Sequence, residues 1–143
     1  MKTVAQLLAL KPSPAIIAVA PRATVLEALK VLAEKDIGAV LVMDGPHLVG
    51  MFSERDYARK IALRGKSSAD TPVSEIMTRE VLCVTPTHTN EQCMALMTEK
   101  RIRHLPVLAN KQVVGVLSIG DLVKETICEQ QFMIKQLESY IHR

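Results

Sequence analysis

The chain repeats itself. Shifted by 65 residues, positions 19–56 fall on 84–121 without a gap, with 11 identities in 38 positions. Val19 meets Val84, Pro21 meets Pro86, Thr24 meets Thr89, Glu34-Lys35 meet Glu99-Lys100, and Ile37 meets Ile102. Val42 meets Val107, Val49-Gly50 meet Val114-Gly115, Ser53 meets Ser118, and Asp56 meets Asp121. Apolar character is kept at further positions, among them Leu29/Met94, Leu32/Met97 and Val40/Leu105. A repeat of this kind constrains the fold before any element is assigned, because each copy must be one supersecondary unit. The 143 residues hold two such units and little more.

Each copy reads alike. "IIAVAP" and "VLCVTP" are short apolar strands closed by proline, which cannot extend a ladder. "ATVLEALKVLAEKD" sets Val25, Leu29 and Leu32 at helical spacing, with Thr24 as N-cap and Glu27 completing a capping box. "IGAVLVMD" and "IRHLPVLA" are strands, and "GPH" and "NKQ" turn them into "LVGMFS" and "VVGVLS", the second arms of hairpins. A helix follows each hairpin. The expected fold is α+β: two β-α-β-β-α units plus a long C-terminal helix. Polar "LRGKSSADTP" reads as the linker, and "VSEIMT" after it is a short helix resembling "VAQLLAL" at the start. The expected divisions are 1–63, a linker at 64–72, a second unit at 73–127, and a helical extension at 128–143. In that extension and the turns before it, Val123, Ile127, Ile134, Leu137 and Ile141 fall near one helix face.

Both copies end their hairpin with apolar-Gly-apolar-apolar-Ser-x-x-Asp. Ser three residues before an acid is a helix cap, with the hydroxyl on an N–H of the first turn and the carboxylate favoured by the dipole. A glycine inside a strand weakens pairing unless something approaches the backbone closely. A helix start also offers N–H groups to a phosphate. Cap and anion site are compatible, and both readings stay open at this point.

Composition narrows the classes. Apolar residues make up 48% of the chain, which argues against disorder. Aromatic residues are 3%, with no Trp, too few to stack single-stranded nucleic acid. The net charge of +3 suits a small anionic ligand and gives little support to a nucleic-acid partner. Cys83, Cys93 and Cys128 have no metal-ligand or disulfide spacing and read as reduced thiols in a cytoplasmic protein. The run in "MKTVAQLLALKP" closes too early for a secretory signal, and no stretch approaches the ~18 apolar residues of a membrane span. Arg59, Lys60, Arg64 and Lys66 read as a solvated basic helix face and linker, with a phosphate-tail or partner contact as the alternative; Met94 and Met97 read as core, and Cys83 and Cys93 as buried small hydrophobes.

These residues carry a family resemblance. "TVLEALKVLAEKDIGAVLVMD…LVGMFSERD" and "TNEQCMALMTEKRIRHLPVLA…VVGVLSIGD", with "EIMTREVLCVTP" between them, resemble a tandem pair of cystathionine β-synthase (CBS) domains, a Bateman module. The resemblance implies two repeats packed about a pseudo-twofold axis, with two clefts that take adenosine ligands: AMP, ADP, ATP, and in some members NAD or S-adenosylmethionine. It implies that the Asp of the repeated motif takes the ribose hydroxyls and the Ser faces phosphate. Carried over, Ser118 and Asp121 serve a cleft lined by Ile16, Ile17, Ile37 and Gly38. Ser53 and Asp56 serve one lined by Val81, Leu82, Ile102 and Arg103. Arg55, Arg103 and His104 correspond to phosphate-contacting positions; His104 reads equally well as an ordinary strand histidine. Gly38 and Ala39 stand where the second copy has Arg103 and His104, so the clefts are chemically unequal.

The expectation is a non-catalytic sensor with no catalytic cofactor, binding an adenine nucleotide or NAD, forming a homodimer partly through residues 122–141, and signalling to an effector protein. No Cys-His nucleophile pair, HExxH or Walker loop is found. A ligand-free dimerisation scaffold, an enzyme acting on adenine nucleotides and a nucleic-acid binder are the alternatives.

Overall fold

Threonine chemistry sets where the first helix of each repeat begins. From the N-terminus the elements are α1 (Val4–Ala9), β1 (Ala18–Val19), α2 (Val25–Lys35), β2 (Ala39–Asp44), β3 (His47–Ser53), α3 (Glu54–Tyr57), α4 (Asn90–Lys100), β4 (His104–Ala109), β5 (Gln112–Ser118) and α5 (Ile119–Ile141). A π turn at Ala58–Ala62 and a 3-10 turn at Val73–Glu75 lie between α3 and α4. The structure, a computed structural model, describes residues 1–11 and 16–142. Pro12, which closes the N-terminal apolar run, and Arg143 lie outside the described residues. Thr24 caps α2: its hydroxyl accepts the Glu27 N–H at 3.1 Å, and the Glu27 carboxylate accepts the Thr24 N–H at 3.2 Å. Thr89 and Gln92 do the same for α4, at 3.2 and 2.9 Å. Each box satisfies two backbone donors that need a partner at a helix start.

The 65-residue offset of the sequence reappears in the irregularities. The β2–β3 hairpin is bulged between Val42 and Met43, the β4–β5 hairpin between Val107 and Leu108. Both helices stop on a left-handed residue, Asp36 at φ 53° and Arg101 at φ 55°. One element breaks the symmetry. β1 pairs parallel with β2 through Ala18 and Val19, but its counterpart, expected as a strand, is a single bridge from Val84 to Val107. The reason lies in the partner strand. The Leu41 N–H donates to the Ile17 carbonyl at 3.3 Å, whereas position 106 is proline, which has no N–H for Leu82.

The described residues form two compact units. One holds Ile16–Val81, with a core of Val25, Leu32, Val40, Val42, Phe52 and Ile61 joined by Val73, Ile76 and Met77. The other joins the N-terminal segment to Leu82 and beyond, and buries Val4 and Leu7 of α1 with Val84, Cys93, Met97, Leu105, Leu117 and Leu122. The divisions at 63 and 73 follow the repeat, while the cores divide otherwise. The segment that precedes each repeat packs into the other one. Cys93 and Met97 are buried as expected, and Cys83 is half-buried.

This exchange explains the strand glycines. A Cβ on Gly115 would stand 2.7 Å from Leu8 Cδ2. A Cβ on Gly50 would stand 2.5 Å from Met77 Sδ and 3.0 Å from the Thr78 carbonyl oxygen. The close neighbour that each glycine admits is a side chain of the exchanged segment.

Candidate functional site

Both Ser-x-x-Asp motifs are capping boxes, and both carboxylates do more than cap. Ser53 starts α3: its hydroxyl accepts the Asp56 N–H at 3.2 Å, and Asp56 Oδ2 accepts the Ser53 N–H at 3.0 Å. Ser118 starts α5 with the same pair of bonds, at 3.2 and 2.8 Å. The loop before each hairpin is tied to the same helix start. The Glu54 N–H donates to the Gly38 carbonyl at 3.1 Å, and the Ile119 N–H to the Arg103 carbonyl at 2.8 Å. Strand register sets Ala39 beside Ser53 and His104 beside Ser118. Within each unit the serine, the aspartate and the loop residue at 38 or 103 are thus one local cluster.

A lysine joins each cluster. Lys60, one turn after Asp56, sets its Nζ 3.1 Å from Asp56 Oδ1 and donates to the Ile76 carbonyl at 2.9 Å. The Thr78 hydroxyl donates to the same Oδ1 at 3.3 Å. Lys11, at the end of the N-terminal segment, sets its Nζ 3.0 Å from Asp121 Oδ2 and donates to the Val116 carbonyl at 2.8 Å. The reading of Lys60 as part of a solvated face is therefore corrected: a carbonyl and a carboxylate hold it inward. Its i,i+4 spacing from Asp56 is the signal that finds it. Nothing in the local sequence marks Lys11, whose partner is 110 residues away.

The two carboxylates differ in openness. Asp56 is 11% exposed, with bonds on both oxygens. Asp121 is 27% exposed, and the Ser118 N–H and the Lys11 ammonium both reach its Oδ2. Burial pushes the Asp121 carboxyl up, but the Ser118 N–H, the Lys11 ammonium and the Ser118 hydroxyl outweigh it and hold the group below its ordinary 3.8. The carboxylate is therefore ionised and acceptor-only at neutral pH.

The remaining expected residues distribute between the units. Ile17 and Ile37 pack against the core of the Ile16–Val81 unit, Ile16 is exposed and Val81 half-buried. Ile102 packs against the other core, Leu82 and Arg103 are exposed, and His104 is half-buried at the start of β4. Arg55 is exposed on α3. The cleft linings expected above each draw on residues of both units.

A family model for the CBS domain matches residues 4–63 and 73–127. A mitochondrial CBS domain-containing protein of Arabidopsis thaliana is 40% identical over 123 residues, covering 82% of this chain and 60% of that protein. The chain thus spans less than two thirds of that relative. A protein with CBS domains from Burkholderia ambifaria MC40-6, known from its structure, is 50% identical, with 90% of this chain and 96% of that one covered at a TM-score of 0.87. A CBS domain pair solved in complex with 5′-methylthioadenosine and S-adenosyl-L-methionine shares the fold at 24% identity, covering 90% of this chain and 98% of that one at a TM-score of 0.77. With two matched segments, and hairpins, caps and bulges that repeat at one offset, the chain belongs to the CBS domain family, as a tandem pair of CBS domains.

Proposed function

We propose that this CBS pair is a non-catalytic sensor of an adenosine-containing ligand, AMP, ADP, ATP or NAD, that passes its state to a partner protein or through its own oligomer. The observation that carries the reading is the ionised, partly open Asp121 carboxylate with a lysine ammonium at its side. Ribose presents two vicinal O–H donors, and a carboxylate accepts both through charge-assisted bonds. The partly open Asp121 carboxylate is the group assigned to them. Lys11 supplies a cation for phosphate. In this reading Ile16, Ile17, Ile37 and Gly38 hold the base for the Ser118–Asp121 box, and Val81, Leu82, Ile102 and Arg103 hold it for the Ser53–Asp56 box. Arg55, Arg103 and His104 serve phosphates. Methylthioadenosine and S-adenosylmethionine in a CBS pair of the same fold support the adenosine class.

Asp56 has both oxygens engaged, so its box is the weaker ribose acceptor. Titration calorimetry with AMP, ATP and NAD, with inosine and a pyrimidine nucleotide as controls, tests the reading. A hydrogen bond to a charged group contributes about 1.5–3 kcal/mol, so Asp121→Asn should weaken binding roughly tenfold to a hundredfold. Asp56→Asn should cost less. The absence of heat and of any melting shift with every adenosine compound at millimolar concentration would reject the sensor. Equal affinity in parent and Asp121→Asn would reject the assignment of the ribose to Asp121.

A further inference from the structure

The two lysines beside the capping carboxylates reach them from different places in the chain. Lys60 lies four residues after Asp56 on the same helical stretch, so cation and carboxylate move together. Lys11 arrives with the N-terminal segment, whose apolar residues belong to the core of the second repeat. That segment is seated along its length. The Val4 and Ala5 N–H groups donate to the His88 and Pro86 carbonyls at 2.8 and 3.0 Å. Leu8 lies over Gly115. Three residues on, the Lys11 ammonium donates to the Val116 carbonyl at 2.8 Å and to Asp121 Oδ2 at 3.0 Å. The other lead-in segment reaches Asp56 through the neutral Thr78 hydroxyl, at 3.3 Å. At Asp121 a full positive charge and a separate segment of chain therefore coincide.

A carboxylate accepts at about four lone-pair positions, so ribose hydroxyls and an ammonium can share it, and a ribose need not expel Lys11. An ammonium carries three N–H donors, of which the carbonyl and the carboxylate take two. Lys11 and Asp121 are 30 and 27% exposed, open enough for one ligand to reach both. A phosphate ester on the bound ribose brings an anion to that ammonium, and the bond between them is of the strong, charge-assisted kind. Unphosphorylated adenosine brings none. A ligand that holds Lys11 in place also holds the segment that carries it. By linkage, a seated segment favours that ligand by the same factor.

We propose that Lys11 couples the phosphate of an adenosine ligand at Asp121 to the seating of residues 1–11, so that the N-terminal segment reports whether a phosphorylated ligand is bound; the coupling rests on the adenosine reading above. Residue-resolved amide hydrogen exchange on the full chain tests it at Val4 and Ala5, whose N–H acceptors lie outside the segment. The probes are AMP and adenosine, which differ by the 5′-phosphate. Each is used at the same multiple of its own Kd from calorimetry, so that stabilisation by mass action is equal for both. AMP should slow exchange at the two amides roughly tenfold, a usual size for coupling between sites, and adenosine less than about twofold. Lys11→Met should abolish the slowing that AMP adds and narrow the affinity gap between AMP and adenosine. Lys11→Arg keeps the cation and should keep the slowing. Equal slowing by AMP and adenosine, or slowing by AMP that survives Lys11→Met, overturns the coupling and leaves the sensor reading intact. The comparison of the two compounds needs no variant, so it decides the matter even where Lys11→Met does not fold. No binding of either compound overturns the coupling, and no binding of ATP and NAD as well overturns the sensor reading with it.

Discussion

Asp121 caps a helix, holds a lysine and, in the proposal above, binds a sugar. Its capping and lysine-holding roles depend on charge, and pH separates them from packing. The Asp121 carboxyl is held below its ordinary 3.8 in the folded chain, so the unfolded chain binds its proton first as pH falls. Its stabilising contribution is therefore complete above about 3.8 and is lost as pH falls through the folded value. Asp121→Asn, which keeps the shape and one acceptor, should melt below the parent at pH 7, and the gap should narrow below pH 4. Lys11→Met should remove part of the same acid sensitivity, because Lys11 is one of the groups that depress the carboxyl. A gap that stays constant from pH 7 to pH 3 would show that the charge of Asp121 contributes nothing to stability. At this scale the sequence was legible where partners are close along the chain. Ser118 and Asp121, three apart, predicted their own box. Lys11 did not predict Asp121, because no local pattern reports a contact closed by tertiary folding.

The elements follow the hydrophobic and turn pattern, and they depart from it where the partner strand decides. The helices at 25–35 and 90–100 and both hairpins are written in caps, periodicity and turns. The strand expected near 81–84 has the β-branched and apolar residues of a strand, yet it depends on a donor that Pro106 lacks. The strand glycines were legible as sites of close approach, but not as seats for Leu8 and Met77, since sequence does not say which segment arrives. Their energetics can be checked by pairing substitutions. Gly115→Ala places a methyl 2.7 Å from Leu8 Cδ2, the far end of a flexible side chain. Overpacking of this kind costs about 1–3 kcal/mol. Leu8→Ala opens the space, so Gly115→Ala should cost distinctly less in the Leu8→Ala background. Gly50→Ala also meets the Thr78 backbone oxygen at 3.0 Å and should cost more than Gly115→Ala. Chemical denaturation of the four variants and the parent gives these differences. Strict additivity of Gly115→Ala and Leu8→Ala would mean that the glycine is there for some other reason.

For the whole chain, the exchange of lead-in segments has a consequence that repeat boundaries alone do not suggest. The N-terminal residues precede the first repeat in sequence but are part of the core of the second. Val4 and Leu7 are buried there, and Lys2 sets its Nζ 2.8 Å from Glu125, itself buried on α5. The Met1 amino group lies 3.2 Å from Glu129. Deleting residues 1–8 therefore strips the Leu82–Arg143 part of the chain of two core side chains and leaves Glu125 buried without its cation. Burial of an aliphatic side chain contributes about 1.5–3 kcal/mol, so the two together approach a large share of the 5–15 kcal/mol that holds a typical domain. An uncompensated buried carboxylate adds to the loss. Amide hydrogen exchange on the truncated chain should show protection falling in α4, β4, β5 and the first turns of α5, while β2, β3 and α2 keep theirs. Deleting residues 131–143 removes a longer stretch whose described residues, 131–142, are exposed, and it should leave protection in both cores near the parental level. Loss in β2 and β3 after the N-terminal deletion, with β4 and β5 still protected, would mean that the N-terminal segment belongs to the repeat it precedes.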